Sequence, residues 1–184
     1  MRKNLTAYLF FLVAILAAGC SSSPDGKVMK KFMSNEIVFP SSLVRIEGRQ
    51  EKHPDLTVPA VRLIIYVDSL QCSSCHLNRM PQYSKYASLG NLYPDFEVVG
   101  IIWPNAESSE TIAADVAHRS FPFDIFIDED GSFGAANPSM PKNRDSHCFL
   151  LGTDFRPILV GDPASTKGKE MLLDKTLYSI YGGK

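Results

Sequence analysis

From about residue 60 onward, two spacings of apolar side chains alternate along the chain. Leu63-Ile64-Ile65-Tyr66-Val67 is a continuous apolar, largely β-branched run of the kind buried on both faces of a parallel sheet, and it predicts a central strand ending at Asp68. The stretch from Cys75 to about Leu89 carries Leu77, Met80, Tyr83, Tyr86 and Ala87 at three-to-four spacing. That pattern predicts a helix, bent where Pro81 withholds a backbone donor. Phe96 to Trp103 repeats the strand signature, and Ser108 or Ser109 caps a helix through Ile112, Val116 and Ala117 to about Arg119. Phe123 to Ile127 reads as a third strand, stopped by the turn Asp128-Glu129-Asp130-Gly131. Cys148 to Leu151 and Ile158 to Val160 flank Gly152-Thr153-Asp154-Phe155 as a hairpin, and Gly168 to Tyr181 forms a final amphipathic helix. Upstream, Val28, Met29, Phe32 and Met33 outline a short helical face, and Leu43 to Glu47 an edge strand. Parallel crossovers followed by an antiparallel hairpin imply an α/β fold: a mixed sheet with helices on both faces.

The first residues follow a different logic. Arg2 and Lys3 precede the apolar run Leu9 to Ala18, which ends in Leu16-Ala17-Ala18-Gly19-Cys20, a small-residue cleavage site with cysteine directly after it. The run is short for a membrane span. It resembles a bacterial lipoprotein signal, which implies removal of residues 1–19 and acylation of Cys20 as the new N-terminus; a plain secretory signal or a stalled anchor is the alternative. Ser21 in the next position favours outer-membrane export over inner-membrane retention. Residues 20–27, with Ser21-Ser22-Ser23-Pro24-Asp25-Gly26, then serve as a tether, and residues 28–184 form one domain with its core at about 60–181.

Charge excludes one class of partner. The whole chain carries 19 Lys+Arg against 20 Asp+Glu. Removal of residues 1–19 takes away two bases and no acids, which leaves a slightly acidic chain with nothing to recruit nucleic acid.

Three thiols remain after lipidation: Cys72, Cys75 and Cys148. In an exported protein these meet an oxidising compartment. Cys72-Ser73-Ser74-Cys75 lies at a strand-to-helix junction, where two cysteines with two residues between them close a disulfide and the helix N-terminus stabilises the thiolate of the first. The pattern points to redox chemistry.

The strand into Cys-x-x-Cys, the proline-bearing helix, the closing hairpin and the last helix together resemble the thioredoxin-like superfamily of redoxins and thiol-disulfide oxidoreductases, nearest to its periplasmic lipoprotein branch of Bacteroidetes type. The segments carrying the resemblance are Tyr66 to Cys75, Ile127 to Phe133, and His147 to Leu151 followed by Ile158 to Pro163. It implies a thioredoxin-like fold with Cys72 as attacking thiolate and Cys75 as resolving thiol. It further implies protein dithiol and disulfide clients, an upstream membrane electron donor if the protein is a reductant, and no diffusible cofactor. The sequence also departs from the pattern. Gln71 stands where thioredoxins have Trp, and Ser73-Ser74 replaces Gly-Pro. The buried acid falls at Tyr66, with Asp68 the nearest carboxylate on the same side of the strand. The cis-proline before the hairpin falls at about Ser146.

Auxiliary roles remain open. His76 or His147 serves as a proton shuttle or a source of positive field, or is a loop histidine. Cys148 is a buried small hydrophobe, a third redox thiol, or one zinc ligand beside Cys72, Cys75 and His76 or His147. Alternation along the hairpin strand sends one of His147 and Cys148 toward the site and the other away. Two further readings compete with catalysis. One is a degenerate binding lipoprotein that presents Trp103-Pro104-Asn105 and the loop Asn137 to Arg144 to a partner. The other is a c-type haem protein, because Cys72 to His76 spells Cys-x-x-Cys-His, although the strands around it disfavour this and a Soret band would decide. The Pro-x-x-x-Thr-x-x-Cys pattern of peroxide-reducing relatives is missing around Cys72.

Overall fold

A strand with no polar face needs cover on both sides, and strand β2 (Val61–Val67) has it: all seven residues are buried. In the computed structural model, which describes residues 24–104 and 108–182, the chain runs α1 (Pro24–Ser34), β1 (Val44–Ile46), β2, α2 (Ser73–Arg79), α3 (Ser84–Ala87), β3 (Phe96–Ile102), α4 (Ser109–Arg119), β4 (Asp124–Ile127), α5 (Ser132–Ala136), β5 (Cys148–Leu151), β6 (Pro157–Val160) and α6 (Lys167–Tyr181). The strands form one sheet in the order β1-β4-β3-β2-β5-β6. β2, β3 and β4 run parallel, while β1, β5 and β6 pair antiparallel to their neighbours. With the Cys-x-x-Cys segment leaving the C-terminal end of β2, this is the thioredoxin-like arrangement that the sequence implied.

The pleat divides the core in two. Val61, Leu63, Ile65 and Val67 face Leu77 and Met80 below the motif, Ile112 and Val116 of α4, and Leu173 and Leu177 of α6. Ile64 and Tyr66 face Phe32 of α1, Phe133 of α5 and Phe149 of β5. Aromatic edges interlock on this second side, with Phe32 against Phe149 at 5.2 Å between ring centroids and Tyr66 against Phe133 at 5.1 Å. Arg62, 1% exposed within the central strand, is accommodated by Glu97 beside it on β3. Its Nε donates to Glu97 Oε2 at 2.7 Å, and its Nη2 donates to the Asp55 carbonyl at 2.6 Å.

Several boundaries differ from expectation. Helix α1 begins at Pro24 and takes in residues assigned to the tether. The predicted Cys75–Leu89 helix starts earlier, at Ser73, and breaks into α2, a 3₁₀ turn Met80–Tyr83, α3 and a second 3₁₀ turn Ser88–Asn91. Pro81 occupies the first break, as its missing N–H requires. Helix α5 has no counterpart in the sequence reading. It follows the N-cap Gly131, whose positive φ of 73° and position under the Trp103 ring, 2.5 Å from an ideal Cβ, favour glycine. Ser108 and Thr166 cap α4 and α6 through their side-chain oxygens.

Candidate functional site

Cys72 and Cys75 form a disulfide at the C-terminal end of β2. Both are exposed. Cys72 occupies the N-cap of α2, and its Sγ accepts the Cys75 N–H at 3.2 Å. The Ser74 hydroxyl lies 3.7 Å from the same sulfur; a disulfide sulfur has no proton, so the serine donates. Backbone and hydroxyl donors thus converge on Cys72, the arrangement that stabilises a thiolate there once the bond is reduced.

Three contacts hold the motif against its neighbours. The Arg144 guanidinium, on the 3₁₀ turn Arg144–Ser146 before β5, donates from Nη2 to the Leu70 carbonyl at 2.8 Å. Asp68 Oδ1 accepts the Leu70 N–H at 3.0 Å and so closes the turn that leads from β2 to the motif. Leu70 itself is 77% exposed at the tip. On the other side Tyr66 N–H donates to the His147 carbonyl at 2.9 Å, which carries the β2–β5 ladder one residue toward the disulfide.

A cavity of about 300 Å³ opens here, walled in part by Gln71 and His76, which flank the motif, and by Tyr83, Arg144, His147 and Cys148. The sequence-predicted auxiliaries separate within it. His147 packs on Tyr66, 5.3 Å between centroids, and its Nδ1 is 3.6 Å from Asp68 Oδ2. Asp68, Tyr66 and His147 therefore meet on one side of the sheet. Cys148 points to the opposite side, into the cluster that contains Ile65 and Leu77. Burial there pushes its thiol well up, with Asp162 adding to the effect. Burial also holds His147 below the ordinary histidine value, against the pull of the Pro141 carbonyl and Asp68, while Arg144 reinforces the drop. His76 is lowered as well, by burial first and then by Arg79 and Arg144. Desolvation, followed by Asp128 and Asp68, raises the Tyr66 phenol.

Ser146, at the position expected for a cis-proline, is buried, and every described peptide bond is trans. Pro141 instead contributes its carbonyl oxygen to His147. Trp103, expected on an exposed partner surface, is half-buried over Gly131, whereas residues 142–145 of the adjoining loop are exposed. Asn105 and Cys20 lie outside the described residues. Among the described residues no cluster of three or more His, Cys, Asp or Glu side chains is placed to hold a metal ion, and no helix is long and apolar enough to cross a membrane. Sequence reasoning missed Arg144 as the tie to the motif loop and Tyr83 as a cavity wall. Neither carries a local signal, because both reach the site through tertiary packing.

No protein-family model matches the chain, and no curated protein does. Among solved structures, a Neisseria meningitidis protein provisionally named a thioredoxin is similar at 22% identity, covering 66% of this chain and 77% of that one, with a TM-score of 0.48. The exposed lipoprotein thioredoxin of Streptococcus pneumoniae is similar at 14% identity over 66% and 85% of the two chains, with a TM-score of 0.47. StoA from Bacillus subtilis shares 14% identity over 72% and 99%, also at 0.47. Strand order, hairpin and the position of the disulfide, all in this chain's own structure, make it a thioredoxin-like fold bearing a Cys72–Cys75 pair.

Proposed function

We propose that the protein is a thiol-disulfide oxidoreductase that exchanges electrons with protein dithiols through Cys72 and Cys75. One observation carries the reading: the disulfide is exposed at a helix N-cap, where Cys72 Sγ already accepts an N–H bond. Reduced, Cys72 is the attacking thiolate, because the donors converge on it; Cys75 then attacks Cys72 Sγ and releases the client. The two sulfurs hold the electron pair, so the reaction needs no diffusible cofactor, neither zinc nor haem. Acylation of Cys20 would tether the domain to a membrane, facing the periplasm, most simply at the outer membrane. In that oxidising compartment a reductant needs an upstream membrane electron donor.

The test is a redox titration read by mass-tagged alkylation in the wild type, Cys72→Ser and Cys148→Ser. Cys72 and Cys75 are expected to titrate together as a two-electron pair that Cys148→Ser leaves unchanged, and the midpoint gives the direction of electron flow. A pair that stays oxidised in the most reducing buffers would remove the enzyme reading. The binding-lipoprotein reading would then stand, favoured by exposed Leu70 beside the motif and by Gln71 and Ser146 in place of the expected Trp and proline.

A further inference from the structure

Helix α1 carries a charge that the rest of the chain lacks. Its 11 residues, Pro24–Ser34, include Lys27, Lys30 and Lys31 against a single acid, Asp25. Residues 35–184 are of the opposite sign, with 14 Lys+Arg against 19 Asp+Glu. Buried Phe32 and half-buried Met29 fix which side of the helix faces the core. At about 3.6 residues per turn, the three lysines fall on the side turned away from it. All three are exposed, and none of their ammonium groups pairs with a carboxylate among the described residues.

The start of α1 also limits how far this face can stand from a membrane. Because the helix takes in residues expected in the tether, only Ser21-Ser22-Ser23 separate Cys20 from Pro24. At ~3.8 Å between successive Cα atoms, that stretch reaches at most about 15 Å from Cys20. The field of a charged membrane surface decays over about 8 Å at physiological salt. Acyl chains on Cys20 therefore hold the lysines at high local concentration beside the headgroups. We propose that the lysine face of α1 docks on a phospholipid surface containing anionic headgroups, so that the domain lies against the membrane in one orientation. The inference rests on the acylation of Cys20 proposed above.

The helix binds by charge and not by insertion. Phe32 packs edge-on against Phe149 of β5, with 5.2 Å between ring centroids, so the apolar side of α1 is committed to the protein. What meets the lipid is the ammonium row, flanked by exposed Val28 and Met33. Leu77 of α2 packs in the cluster on the opposite side of the sheet. A bilayer against α1 therefore leaves the helix that begins at the disulfide on the far side, open to clients.

The experiment uses the processed chain, extracted in detergent from the membranes of a bacterium that expresses it and added to preformed vesicles. Mass spectrometry of the N-terminal peptide comes first: an unmodified Cys20 overturns the anchor reading, and this inference with it. The vesicles are phosphatidylcholine alone or phosphatidylcholine with about 30% phosphatidylglycerol, and the readout is the acetylation rate of each lysine by a water-soluble reagent. At low salt, Lys27, Lys30 and Lys31 are expected to react about tenfold more slowly on the anionic vesicles than on the neutral ones. Lys175, exposed on α6 across the sheet, should react equally on both. Salt at about 0.5 M should restore the three rates. In the double variant Lys27→Glu/Lys30→Glu, Lys31 should react at the neutral-vesicle rate on both. Equal rates for the wild type on the two vesicles overturn the proposal, as does protection that persists in the double variant, which is crowding by the tether. Lysines that react freely on pure lipid but are protected in native membranes place an acidic protein on this face and overturn it too.

Discussion

At the start of α2, Cys72 is exposed, accepts a backbone N–H and is bonded to Cys75; on interior strand β5, Cys148 is 5% exposed in an apolar cluster with Ile65 and Leu77. One side chain type serves two purposes, and the element that carries it decides which. A helix terminus supplies N–H donors that favour the thiolate, while a strand buried between layers removes water and favours the neutral thiol. His147, adjacent to Cys148, lands on the other side of the sheet beside Asp68, because successive strand residues alternate. The contrast separates a disulfide at a helix terminus, a buried thiol and a histidine beside a carboxylate within one small region.

The strongest test of that contrast removes the reactive member. Cys72→Ser should lower exchange with a protein disulfide by on the order of a thousandfold, measured as initial rates at fixed pH. Phe149→Ala, next to Cys148 but on the opposite face against Phe32, should cost about 3–5 kcal/mol in urea unfolding while the Cys72–Cys75 midpoint stays put. Cys148→Ser should leave exchange within about twofold and cost about 1–3 kcal/mol, because a hydroxyl replaces a thiol in a buried, largely apolar cluster. The smallest effect is on pH. Burial lowers the His147 pKa in the folded chain, so the unfolded chain binds the proton more readily, and stability falls as pH drops below 6.5 toward the folded value. His147→Gln should flatten that part of the stability profile, as followed by chemical denaturation at a series of pH values.

Legibility in the sequence followed the length scale of the forces. β2 was plain because a strand covered on both faces needs an unbroken apolar run, and only Arg62, neutralised by Glu97 on β3, hid its first turn of the pleat. The α4 cap was narrowed to Ser108 or Ser109 because capping is local, and Ser108 fills it. The start of α2 was misread because its cap is a thiol, which is not among the usual capping side chains. Helix α5 was missed because five residues with Gly-Ala-Ala offer no periodic face. Cys72, Cys75, Asp68 and His147 were all visible as candidates, with the two cysteines' roles implied by the resemblance, but which of His147 and Cys148 meets Asp68 was not. That depends on the Pro141 carbonyl, on Arg144 and on which way the pleat turns Cys148. Asp124 shows the limit: a fully buried carboxylate, it is satisfied by Gly48 N–H, Gln50 and His53 from a loop more than seventy positions earlier.

Because the sulfur that caps α2 is also the sulfur that would react under the proposed function, the Cys75 amide proton is a built-in reporter of the redox state of the Cys72–Cys75 pair. It points at an uncharged disulfide sulfur in one state and at a thiolate in the other. Reduction should move its NMR resonance downfield and slow its exchange with solvent, so one amide signal reports whether the Cys72–Cys75 bond is closed or open.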